Sequence, residues 1–68
     1  MLNVNALRAE MVKNGYNQQT MAQELGITSR TFGTRLKTGD FGANEIEVMI
    51  NKLNLSDPMS IFFAEKVT

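Results

Sequence analysis

The stretch SRTFGTRLK, residues 29–37, carries the side chains best suited to chemistry, and that chemistry is recognition rather than bond making. Between Ile27 and Gly39 the sequence has three basic residues, Arg30, Arg35 and Lys37, and no acid. Placed on a helix at about 100° per residue from Ser29, Phe32 and Leu36 mark an apolar direction near about 320°. Thr34 lies opposite, at about 140°, flanked by Arg30 at about 100°, Lys37 at about 80° and Thr31 at about 200°. An arginine can give two hydrogen bonds to O6 and N7 of guanine in a major groove. A threonine there offers a hydroxyl to a base edge and a methyl to thymine. Lys37 and Arg35 are better suited to phosphates, which fix position without reading sequence. A face that was merely solvated would also be polar, but with mixed charge.

The residues that are absent narrow the alternatives. The 68 residues include no Cys and no His. Disulfides, thiolate or imidazole metal sites, and Ser-His or Cys-His nucleophiles are therefore excluded, along with the commonest catalytic acid/base. Carboxylates and Lys remain, but no acid pair, Gly-rich phosphate loop or nucleophile–base arrangement is visible. Neither an enzyme nor a cofactor is expected. No apolar run approaches the ~20 residues of a membrane span. Asn3, Asn5, Arg8 and Glu10 break any leader-like apolar stretch. The expectation is a soluble cytoplasmic protein with no membrane partner.

Seven basic and seven acidic residues cancel, whereas nucleic-acid-binding domains are usually basic overall. Placement matters more than the sum, because charges act within a Debye length of ~8–10 Å. Against the basic stretch at 27–39, the segment from Gly42 to Asp57 has three acids, Glu45, Glu47 and Asp57, and one base, Lys52. The chain is neutral but polarised.

The elements that must hold the 29–37 face follow from apolar spacing and caps. Val4, Leu7 and Met11 form one helical stripe that stops at Asn14-Gly15. Asn17 can cap a second helix that buries Met21, Ala22 and Leu25 and stops at Gly26. Thr28 or Ser29 starts a third, with Phe32 and Leu36 inward, ending near Lys37-Thr38-Gly39. Gly42 to Glu45 has the form of a weak cap for a fourth, whose stripe is Ile46, Met49, Ile50 and Leu53. Asp57-Pro58 is a strong start for a fifth, since Pro loses no hydrogen bond at the first helical position. The sequence thus reads as one all-α domain over residues 1–68, with no sheet, repeat or linker. A chain of this size buries roughly 60% of the surface its unfolded form exposes, so its stability is marginal.

The Gly26 junction joins two helices by a short turn, the arrangement of a helix-turn-helix unit. Gly26 supplies a positive φ without steric cost, Ala22 is small where the helices approach, and Ile27 plugs the core below. An ordinary corner in a small bundle would need no more than such a Gly. The fuller pattern Gln18-(x)3-Ala22-(x)3-Gly26-(x)5-Phe32-(x)3-Leu36 resembles the lambda-repressor-like, Cro-type (XRE) family of phage and bacterial regulators. The ending LNLSDPMSIFFAEKV is similar to the close of small Cro-like and antirepressor-like phage proteins of Gram-positive bacteria. The resemblance spans nearly the whole chain. It implies a compact five-helix domain with the motif as helices two and three, and binding of a double-stranded DNA operator.

By that resemblance, base edges meet the first residues of helix three and those four and five further on: here Ser29, Arg30, Gly33 and Thr34. Family members often carry Gln or Asn where Ser29 stands, so base reading leans on Arg30. The family places a Gln on a phosphate at the start of helix two, and Gln18 matches it. Asn17 reads either as a helix cap or as a second phosphate ligand beside the positive helix end. Gly33 in mid-helix costs about 1 kcal/mol relative to Ala; it marks either drift at an exposed site or close approach to the bases. The expected DNA-facing set is Asn17, Gln18, Ser29, Arg30, Thr31, Gly33, Thr34, Arg35 and Lys37.

Phe62 and Phe63 stand about 100° apart on a helix, so one face cannot bury both. One belongs to the core and the other suits an interface. Cro-type domains pair through this end of the fold, which implies a homodimer. The rival function is an antirepressor that captures a partner phage repressor. A chain of this length leaves no room for a ligand-sensing second domain, which points to a Cro-like role.

Overall fold

The computed structural model describes residues 1–64. Residues 65–68, which include the last part of the ending quoted above, lie outside the described residues. The described residues form five α-helices and no strand: α1 Val4–Lys13, α2 Gln18–Leu25, α3 Ser29–Thr38, α4 Ala43–Leu53 and α5 Pro58–Phe62. No described helix is long and apolar enough to cross a membrane.

Each start has a local cause. Side-chain oxygens of Asn3, Asn17, Thr28 and Asp57 accept the free N–H of Ala6, Thr20, Thr31 and Ser60, respectively. This satisfies donors that have no partner within the first helical turn. At α2 the exchange is reciprocal, because the Asn17 N–H donates to Thr20 Oγ1 at 2.9 Å. At α4 the cap residue is Gly42, and its N–H donates to the Glu45 carboxylate at 2.9 Å. The helix α2 ends at Gly26 with φ 72°, a left-handed conformation that penalises any Cβ. Asn54 ends α4 the same way at φ 51°.

The packing joins α2 to both α3 and α4, and α1 to α5. Leu7, Met21, Ala22, Phe32, Met49 and Leu53 are the innermost side chains. The Asn14 amide donates to the Leu53 carbonyl at 3.2 Å and so ties the ends of α1 and α4 together. The Asn3 N–H donates to the Ile61 carbonyl at 2.7 Å and holds the N-terminal segment on α5.

Several expectations for the core need correction. Leu25, Ile46 and Ile50 are only half-buried. Phe41 and Leu55, in the segments before and after α4, are buried instead. Phe41 tilts against Phe32 with ring centroids 5.5 Å apart and planes at 57°, within the separation at which aromatic pairs attract. Met59, grouped in the sequence with the terminal apolar run, is 63% exposed.

Candidate nucleic-acid interface

The helix α3 is anchored by Phe32 and Leu36, both buried. That fixes which side is free. Arg30, Thr34 and Lys37 are exposed, on the side that the spacing assigns to them. The Thr34 hydroxyl donates back to the Arg30 carbonyl at 3.2 Å. Its proton is thereby committed, while its oxygen can still accept.

The other residues of the expected set have more particular places. Thr31 is half-buried, and its hydroxyl accepts a hydrogen bond from the Thr28 hydroxyl at 2.9 Å within the α3 cap. Asn17 is exposed, and its carbonyl oxygen is used in the α2 cap, which leaves its NH2 group available. Ser29 is half-buried, and its carbonyl accepts the Gln18 side-chain NH2 at 2.9 Å. Gln18 is therefore a strut between α2 and α3. It spends one of its two amide protons there and keeps the other.

Gly33 is explained by the same strut. A Cβ at Gly33 would stand 2.8 Å from Gln18 Nε2. The missing side chain is what lets the Gln18 amide lie between the two helices. Neither of the two explanations drawn from the sequence, drift or approach to a base, included this one.

Arg35 departs from its expected role. Its guanidinium pairs with the Glu45 carboxylate, with side-chain exposures of 33% and 15%. Glu45 thus caps α4 and binds α3 at once. The α3–α4 junction, not a phosphate, occupies Arg35. Lys52 pairs with Glu24 at 3.8 Å.

Arg30 and Lys37 share a groove with a residue the sequence reading passed over. Val4 and Arg8 of α1, Gln18 at the start of α2, and Arg30, Gly33, Thr34, Leu36 and Lys37 of α3 line one open depression. Three of these are cations and none is a carboxylate. Arg8 was not legible as part of this cluster, because nothing local in the sequence sets α1 beside α3.

At the C-terminal end the Phe pair separates. Phe62 is 6% exposed and is the core member of the pair, so of the two interface candidates only Phe63 remains. Phe63 is 55% exposed and stands four residues after the exposed Met59. No protein-family model, curated protein or solved structure matches the chain.

Proposed function

We propose that this chain is a sequence-specific DNA-binding transcriptional regulator of the Cro-like kind, with α2, the Gly26 turn and α3 acting as its helix-turn-helix. The observation that carries the reading is the free face of α3: Arg30, Thr34 and Lys37 are exposed together, and no described carboxylate lines the groove they share. In this reading α3 enters the major groove. Arg30 takes a guanine edge and Thr34 an adjacent base, while Lys37 meets the backbone. Gln18 and Asn17 hold a phosphate at the start of α2, each through an N–H not used inside the domain. Arg35 takes no part. Two copies bind as a homodimer, with reading helices about 34 Å apart and half-sites about 10 bp centre to centre.

Selection from a pool of random duplexes tests the proposal, followed by footprinting of the promoter region beside the chain's own gene. The expected result is an enriched, two-fold related sequence that the footprint covers. Binding that shows no sequence preference at any salt concentration would overturn it.

The exposed pair Met59 and Phe63 favours one second reading, an antirepressor that captures a partner repressor through this apolar surface. Phe63→Ser separates the two. Loss of self-association together with operator binding supports the regulator. Loss of binding to a co-encoded repressor, with self-association intact, supports capture.

A further inference from the structure

We infer that the groove between α1 and α3 holds a phosphodiester of the DNA backbone, with Arg8 as its ligand from α1. The inference rests on the DNA-binding reading and extends the contact surface beyond α2 and α3.

The first support is the way charge is sorted. Six of the Lys and Arg residues fall among the described residues: Arg8, Lys13, Arg30, Arg35, Lys37 and Lys52. Two of them, Arg35 and Lys52, are neutralised by Glu45 and Glu24. Of the remaining four, three line this one groove, and among the described residues no carboxylate lines it. Like charges gathered without a counter-charge repel one another, and an anion between them relieves that repulsion.

The second support is the kind of groups present. Arg and Lys can only donate hydrogen bonds, and Gln18 keeps one amide proton after bonding the Ser29 carbonyl. The depression is therefore rich in donors, as an anion site must be. Gly33 leaves its floor without a side chain, so the Gln18 amide is reachable from the groove.

The third support is continuity. Arg30, Thr34 and Lys37 belong both to the groove and to the face of α3 that meets the duplex in the proposed function. A DNA strand presents a phosphate about every 3.4 Å. A strand running past α3 therefore offers Arg8 and Lys37 separate phosphates, which a single free anion could not do. The groove is also open rather than enclosed, which suits a passing backbone better than a captured small molecule.

The test measures binding of a fluorescent duplex between 50 and 200 mM salt by anisotropy, for the unmodified chain and for Arg8→Ala, Arg8→Lys and Lys13→Ala. Arg8 and Lys13 are both exposed on α1, and a thermal melt of each variant confirms folding. Each phosphate contact on B-DNA contributes about 0.9 to the slope of log K against log salt. Arg8→Ala is expected to lower the slope by about 0.9, which amounts to about fivefold weaker binding near 0.15 M salt. It should leave the ratio of operator to random-duplex affinity unchanged. Arg8→Lys should keep the slope, and Lys13→Ala should match the unmodified chain. An unchanged slope in Arg8→Ala overturns the inference and leaves the DNA-binding reading standing. An equal loss in Lys13→Ala also overturns it, because the effect would then belong to overall charge. If the unmodified chain shows no salt-dependent binding to any duplex, the DNA-binding reading fails, and the inference fails with it.

Discussion

Gly33→Ala is the substitution whose outcome the geometry fixes most sharply, because two effects of similar size oppose each other. Ala in place of Gly inside a helix stabilises by about 1 kcal/mol. The new Cβ, however, would stand 2.8 Å from Gln18 Nε2, and it would be 3.8 Å from Cδ of the same side chain. Nothing else lies within 4 Å, so the amide, the far end of a flexible side chain, is what must give way. Its hydrogen bond to the Ser29 carbonyl, 2.9 Å long, breaks. A bond of this kind contributes about 0.5–1.5 kcal/mol net. Gln18 is half-buried, so the displaced amide reaches water and adds no larger penalty. The net effect of Gly33→Ala is therefore within about 0.5 kcal/mol of zero. In a Gln18→Ala background the clash is gone, and the same substitution should stabilise by the full amount, about 1 kcal/mol. Urea denaturation of the unmodified chain, the two single variants and the double variant closes the cycle. The expected coupling is about 0.5–1.5 kcal/mol, with Gly33→Ala more favourable when Gln18 is absent. Additivity within about 0.3 kcal/mol would refute the reasoning and return Gly33 to simple drift.

Arg30→Ala should cost about 1–3 kcal/mol against the selected duplex and relax preference at one base pair, whereas Lys37→Ala should weaken all duplexes alike and lower the salt slope by about one; equal, small effects from both would remove α3 from the interface. Phe62→Ala should destabilise by about 3–5 kcal/mol as a core truncation, while Phe63→Ser should fall within about 0.5 kcal/mol of the unmodified chain; denaturation midpoints rank the two. Arg35→Ala leaves the Glu45 carboxylate, 15% exposed, without its cation. The cost lies between the ~1 kcal/mol ceiling of exposed pairs and the ~3–5 kcal/mol of fully buried ones, and the salt slope of duplex binding should not change.

The parts of this fold that were legible in the sequence are those decided within a few residues. Asn17, Thr28 and Asp57 cap because a short polar side chain stands where a helix must start, and Gly26 turns because only Gly takes φ 72° freely. The parts that escaped depend on what lies across the domain. Phe41 and Leu55 are buried in segments too short to show a period. Met59 follows the apolar run but not its buried face. Arg35 sits on the flank of α3, and only the packing of α4 brings Glu45 to it. Arg8 is a surface residue by spacing, and only the tertiary arrangement sets it in a groove with Arg30 and Lys37. Gly33 is the sharpest case. Its reason is a side chain 15 residues earlier in the chain, which no local rule connects to it.

A net charge of zero and a basic face are compatible because the ion pairs are unevenly distributed. Glu45 and Glu24 pair with Arg35 and Lys52, two of the three described cations outside the groove, Lys13 being the third. The other described carboxylates, Glu10, Asp40, Glu47 and Asp57, do not line the groove either. Most of the positive charge left over is therefore concentrated at Arg8, Arg30 and Lys37. At a distance the domain is neutral, so steering of an anionic partner from afar is weak. Within a Debye length of ~8–10 Å the three groove cations act together, with Asp40 the carboxylate that shares a neighbouring depression with Thr34. Under the proposed DNA-binding reading, such a surface discriminates by fit once contact is made and adheres weakly to polyanions that cannot reach the groove. Under that proposal, gathering most of the free positive charge of the described residues on the face of α3 and its groove limits the affinity of wrong orientations.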